Sequence, residues 1–203
     1  MILISMDLIE NISDLNYIGN TIDDLDIFDI LPEYLKNFYS KLNGFIAFQG
    51  GLHVRGCSKE PGWHSLRETW FGEFKLSSLF DSVEANDIPI AQDCFGDQFV
   101  IRKGHIWLLH SETDEITDLK IDFDQFLEQT FSGTPKFLNI QNIQNLKLKP
   151  GQLINVVPPF CIDSKKGYSF KPVDASEQIK YLSTFSKEIK KLPDGTHINI
   201  KTD

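Results

Sequence analysis

With 203 residues, 41% of them hydrophobic and sixteen of them Phe, the chain has enough apolar surface for one packed domain, or one domain with an extension, and is not a disordered polymer. Its net charge of −9 disfavours a nucleic-acid partner, and no apolar run approaches the roughly 20 residues of a membrane span, so no membrane partner is expected either. Cys57, Cys94 and Cys161 are odd in number and lack a CxxC pair, and residues 1–10 lack the basic start of a signal peptide; a cytoplasmic protein with reduced thiols is expected.

In chain order, Ile4, Leu8, Ile12 and Leu15 recur at helical spacing and predict a short amphipathic helix within residues 1–20. Residues 21–30 are acidic (Asp23, Asp24, Asp26, Asp29) around Leu25, Ile27 and Phe28, and read as a linker or a loose helical turn. Residues 31–43 form the clearest helix. Pro32 suits its first turn, Leu31, Leu35, Phe38, Tyr39 and Leu42 share one face, and Gly44 stops it. Short β-type runs follow at 45–48 and 52–54. After the Glu60-Pro61-Gly62 turn, Trp63, Leu66 and Trp70 predict a short helix whose aromatic stripe faces the core, and residues 76–80 lead into the sheet.

The organising stretch is 88–127. Residues 98–101 and 106–109 are rich in β-formers, with Arg102-Lys103-Gly104-His105 as the turn between them. Pro89 suits a strand edge or start, and residues 93–97 read as a tight loop between strands. Asp122 and Gln125 have capping-box spacing ahead of Phe123, Phe126 and Leu127. Buried positions are expected at Trp63, Trp70, Phe99, Trp107 and Phe126.

Beyond Phe131 the sequence changes character, with a break at 132–135 and a Gln/Asn-rich patch at 139–145. A strand at 153–157 follows, then a helix from Asp174 to Lys191 with Ile179, Leu182, Phe185, Ile189 and Leu192 on one stripe, then a closing strand through Ile198 and Ile200. This gives three parts: an N-terminal helical and acidic segment (1–30), a core (31–131) and a C-terminal strand–helix–strand extension packed on it (132–203). The fold class is α+β, a twisted, largely antiparallel sheet with helices against it.

Charge is uneven along the chain. Residues 81–128 carry a net −9 and residues 129–203 a net +5. The acidic excess reads either as a solvated surface or as a field for a basic protein partner. Asp93 and Asp97 flank one turn, and Glu112, Asp114 and Glu115 crowd the next loop, so these five are the candidate partner-binding residues. The same carboxylates would serve a hydrolase or hold a cation, but the calcium-loop alternation is absent. His53, Cys57 and His64 match no zinc spacing, and Cys94 with His105 or His110 as base is weighed against a small buried thiol. No catalytic residue, metal or cofactor is expected.

The sequence IPIAQDCFGDQFVI, followed by GHIWLLHSETDEI and DFDQFL, resembles the signature of the SUKH superfamily, named after a yeast cell-wall synthesis regulator. The stretch from Leu31-Pro32-Glu33-Tyr34-Leu35 to Asn43-Gly44 is similar to the opening helix of that family. GGLHVRG, GWHSLRETWFG and LPDGTHI resemble a bacterial subset with a C-terminal extension. The resemblance spans residues 31–200. It implies a protein-binding fold and no catalytic residues. In bacteria it implies most often an immunity protein that neutralises a toxin by binding it, and in the regulator branch a scaffold.

Overall fold

Seven strands, taken in sequence order, form one antiparallel meander in which every strand lies beside its chain neighbours. The computed structural model describes residues 15–131, 138, 148–165, 167–193 and 195–196. The helix expected around Ile4, Leu8 and Ile12, the polar patch at 139–145 and the closing strand at Ile198 and Ile200 lie outside the described residues. The strands are β1 (Leu15–Ile18), β2 (Phe45–Ala47), β3 (Leu52–Val54), β4 (Ile88–Asp93), β5 (Gln98–Arg102), β6 (His105–His110) and β7 (Glu115–Asp118). Helices α1 (Leu25–Ile30), α2 (Glu33–Tyr39), α3 (Leu66–Trp70), α4 (Leu76–Leu79) and α5 (Phe123–Phe131) are threaded between or after them.

The central hairpin follows from its turn. Lys103 and Gly104 both have positive φ (52° and 85°), the mirror-image turn whose twist matches the strands it joins. Pro89 stands in the middle strand, where the register shifts between Ile88 and Ala91, so its missing N–H falls at an irregularity instead of a continuous ladder. The Asp122 box forms as its spacing predicts. Gln125 N donates to Asp122 Oδ1 at 2.8 Å, and Asp122 N donates to Gln125 Oε1 at 3.0 Å.

Alternation along β5 and β6 feeds two cores. Phe99, Ile101, Ile106 and Leu108 join Leu35, Phe38, Tyr39, Phe123, Phe126 and Leu127 in the larger one. Val100 and Leu109 meet Leu76, Phe80, Val83, Leu153, Ala175, Ile179 and Leu182 in a second, with Trp107 packed at its side. Helices therefore cover the middle strands on both sides, which explains why β4 is buried throughout.

Residues 15–30 are not a separate segment. β1 pairs with β2, and its alternation of half-buried Leu15 and Tyr17 with exposed Asn16 and Ile18 is a strand pattern, not the tail of a helix. α1 is a formed helix: Asp24 caps it through Ile27 N and takes both Nε and an NH2 nitrogen of Arg67, at 2.6 and 2.5 Å. The clearest predicted helix is shorter than 31–43, with Pro32 as its N-cap and Ser40 as its C-cap.

Among the described residues the extension runs strand–strand–helix: β8 (Gln152–Val157) pairs with β9 (Ser169–Asp174), and α6 (Ala175–Ile189) follows. Asp174 caps α6 by accepting from Ser176 N and Glu177 N. β9 is unexpected because Pro172 interrupts its donors, but a two-stranded ribbon leaves an unpaired side that tolerates it. The unit packs on the sheet. Ile154 N donates to Cys94 O at 2.8 Å, and Gly96, at φ +100°, lies so close to Leu182 that a Cβ there would sit 2.7 Å from its Cδ1.

Trp70, Phe99 and Phe126 are buried, whereas Trp63 and Trp107 are only half-buried. Trp63 sits on a single helical turn before α3, against Tyr17 and His53, and Trp107 lies under the Arg102 guanidinium, 5.0 Å from its ring. The Phe126→Ala variant should therefore lose about 3–5 kcal/mol of stability and Trp107→Ala less, about 1–3 kcal/mol, in urea denaturation. A larger loss at Trp107 would contradict the two-core packing.

Candidate functional site

Where the β4–β5 turn, the end of β6 and the loop after β8 converge, the sheet rim opens into a cleft of about 410 Å³. Four of the five predicted residues, Asp93, Asp97, Glu112 and Glu115, line it; Asp114 does not. Phe95 and Phe160 supply its aromatic wall, with ring centroids 5.1 Å apart at 80°, and His110, Thr113 and Cys161 complete it.

The carboxylates differ sharply in what they are free to do. Asp93 is buried and holds its own turn: Oδ1 accepts from Phe95 N, Gly96 N and Asp97 N, each at 2.9 Å. Burial and the adjacent Asp97 push its carboxyl well above the usual range, against the pull of those three amides. Glu112 accepts from Phe160 N at 2.9 Å and Cys161 N at 2.8 Å, so it fastens the loop after β8 to the loop after β6. Burial raises its carboxyl, and the two amides oppose the rise. Asp97 accepts from Ser111 N through Oδ1, leaving Oδ2 at 3.4 Å from His110 Nδ1. Its bond to Asp97 raises the His110 imidazole above its ordinary value. Glu115 is exposed at the start of β7.

Asp114 corrects the expectation of five surface charges. Its side chain is buried and accepts from Asp81 N, Ser82 N, Ser82 Oγ and Lys190 Nζ, the last at 2.6 Å. Burial works against its charge, yet Lys190, the Ser82 hydroxyl and the two amides outweigh it and hold the carboxyl below its ordinary range. Asp93 is likewise an interior turn former. That leaves Asp97, His110 and Glu115 as the titratable groups at least partly exposed in the cleft, with Glu112 shaping the wall.

Of the two thiols nearest the rim, neither is poised as a nucleophile. Cys94 is wholly buried beside Phe95, and burial pushes its thiol up; His105 is exposed and faces Asp118 at 3.5 Å. Cys161 is an exposed residue at the cleft, but partial desolvation of its thiol and the nearby Glu112 push it to about 12, so it stays protonated at neutral pH.

His53 and His64 form a buried pair with consistent polarity. Gln92 Nε2 donates to His53 Nδ1 at 3.3 Å, His53 Nε2 to His64 Nδ1 at 2.9 Å, and His64 Nε2 to Asn43 O at 3.0 Å. Every ring nitrogen of the two imidazoles thus has a partner, and Cys57 N is bound to Asn43 Oδ1 instead of its thiol joining them. Among the described residues no group of three or more His, Cys, Asp or Glu is placed to hold a metal ion. Among them, too, no helix is long and apolar enough to cross a membrane.

No protein-family model and no curated protein matches the chain. Among solved structures it is similar to Atu4351 from Agrobacterium tumefaciens, at 16% identity over 82% of this chain and 81% of that one, with a TM-score of 0.49.

The bonds of Asp114 and the buried histidines are both open to measurement. Replacing Asp114 with Lys should cost about 3–5 kcal/mol, because it leaves Lys190 and two amides without their buried acceptor, while Glu115→Lys should change stability by less than about 0.5 kcal/mol. Equal denaturation midpoints for the two variants would refute the assignment. Burial lowers the His53 imidazole well below its ordinary value, and that of His64 to about 4. Below pH 6.5 the unfolded chain therefore takes up protons that the fold refuses, and stability falls as pH drops toward 4, by up to ~1.4 kcal/mol per pH unit for each imidazole. Asp93, whose carboxyl is raised, works in the opposite sense. The His53→Gln variant should show a shallower loss over that window in pH-dependent denaturation.

Proposed function

We propose that the protein is a cytoplasmic protein-binding module of SUKH type, and that it neutralises a cognate bacterial toxin by direct binding. The observation that carries this reading is the rim cleft, an open hollow with aromatic walls and the acidic Asp97 and Glu115 at its mouth. All of its lining but Phe160 and Cys161 belongs to the segment of net charge −9, so a basic protein surface approaching it meets a favourable field before contact. Binding accounts for these residues better than turnover does. Asp93 Oδ1 and both oxygens of Glu112 are occupied by backbone amides, and the Cys161 thiol is protonated. The sequence motifs that resemble the SUKH signature fall on β4, β5, β6 and α5, the elements that frame the cleft or pack behind it.

The test begins with co-purification of the full chain from its native host and identification of what accompanies it. Association of that partner is then timed with wild type and with the Asp97→Asn, Glu115→Gln double variant at two salt concentrations. The side-chain amide introduced by Asp97→Asn keeps an acceptor oxygen for Ser111 N, so the change removes charge without removing the loop bond. The variant should associate roughly three- to tenfold more slowly at low salt, with the difference shrinking at high salt. Equal rates at both concentrations would remove the cleft from the interface.

A further inference from the structure

Among the described residues four acidic side chains are buried: Asp24, Asp87, Asp93 and Asp114. Three of them have a cation of this chain beside them. Arg67 lies 2.5 Å from Asp24, Arg102 2.6 Å from Asp87, and Lys190 2.6 Å from Asp114. Asp93, 5% exposed, joins no ion pair among the described residues, and the charge that acts on it is that of Asp97, of its own sign. Desolvation makes a buried carboxylate costly unless a counter-charge accompanies it. Asp93 is the one the fold leaves without.

Its two oxygens are unequally used. Oδ1 accepts from the three amides of its own turn, whereas Oδ2 accepts no bond among the described residues. Nor is Oδ2 sealed away from solvent: Asp93 lines the rim cleft, and this oxygen opens onto it. Resting on the reading of the cleft as a partner's docking site, we propose that the hollow receives one arginine side chain of that partner, whose guanidinium donates to Asp93 Oδ2.

The lining supports that occupant. It holds four carboxylates against a single imidazole and contains no Lys or Arg. Asp97 Oδ2 is engaged by His110 Nδ1 at 3.4 Å, a long contact that a stronger donor can replace, and Glu115 stands exposed at the mouth. A guanidinium spreads five donors over a planar fork, so it can serve Asp93 and Asp97 together; an ammonium is a compact, strongly hydrated charge. Its flat face also suits the half-buried Phe160 ring, which stands edge-to-face with Phe95 on the cleft wall. A metal ion fits less well, because among the described residues no three ligating groups are placed to hold one. Burial and Asp97 hold the Asp93 carboxyl high, and an arriving guanidinium supplies the counter-charge that the chain itself gives the other three. The hollow, at about 410 Å³, leaves room for one such side chain and its waters.

The experiment titrates the full chain with n-butylguanidinium, n-butylammonium and neutral n-butylurea, followed by amide chemical shifts at constant pH and ionic strength. The guanidinium should shift the amides of Phe95, Gly96 and Asp97 saturably, with a dissociation constant on the order of 1 mM, and the urea should not. Asp93→Asn keeps an oxygen for those three amides and puts an N–H donor where Oδ2 stood. It should weaken the guanidinium roughly tenfold or more without lowering the melting temperature. Should that variant fail to fold, Asp97→Asn serves instead and should weaken the same probe. Butylguanidinium that binds no better than butylurea, or binds the folded Asp93→Asn variant as well as wild type, would overturn the site; equal binding of butylammonium would overturn the choice of arginine. The partner is then timed separately. If it is slowed by the Asp97→Asn, Glu115→Gln pair but no guanidinium binds, the arginine site falls and the docking cleft stands. If the guanidinium binds through Asp93 but the partner ignores that pair, the toxin reading falls and the guanidinium site stands.

Discussion

A guanidinium locked inside the sheet is the constraint on which the rest of the structure depends. Arg55 draws together the backbone of β4 and the side chains of Gln92 and Gln98, and through Gln92 the line continues to His53, His64 and Asn43. Asn43 in turn holds Cys57 N and, through its amide, Asn20 O. One connected set of bonds thus reaches from β5 to the loop after β1. Networks of this kind tolerate no half measures, since each unpaired member inside a poorly screened interior is expensive. The backbone closes around it: a Cβ on Gly19 or on Gly56 would come within 2.6 Å of His64 Nε2.

The apolar frame is readable from local sequence because strand alternation and capping chemistry act over a few residues. The 98–109 hairpin, the Asp122 box and the Asp174 cap all form where the spacing places them. What escapes local reading depends on distant partners. Asp114 looks like any loop aspartate until Ser82 and Lys190, 32 and 76 residues away, arrive beside it. Glu112 has the same ambiguity, resolved by amides 48 and 49 positions further on. β7 is hidden in the sequence because Glu115 and Asp118 at its ends read as loop charge, although Ile116 between them faces the second core.

The candidate site is half visible for the same reason. Acidic residues at two successive turns mark one rim of a meander, and that geometry brings Asp97 and Glu115 to a common hollow. The aromatic wall is not visible, because a long stretch of chain separates Phe95 from Phe160, and nothing in either neighbourhood announces the other. His110 is the residue a closer reading would find: it ends a strand directly opposite Glu115 in the β6–β7 register.

Because one wall of the cleft is clamped on by Glu112 from residues beyond 157, the hollow has an order of assembly. A chain emerging from the ribosome carries Asp97, His110 and Glu115 long before Phe160 and Cys161 exist. Until β8 and the loop after it are made and seated, the acidic residues lie on an open shelf with no aromatic side to it. The complete hollow is therefore formed late in synthesis, by the arrival of a segment that contributes almost none of its charge.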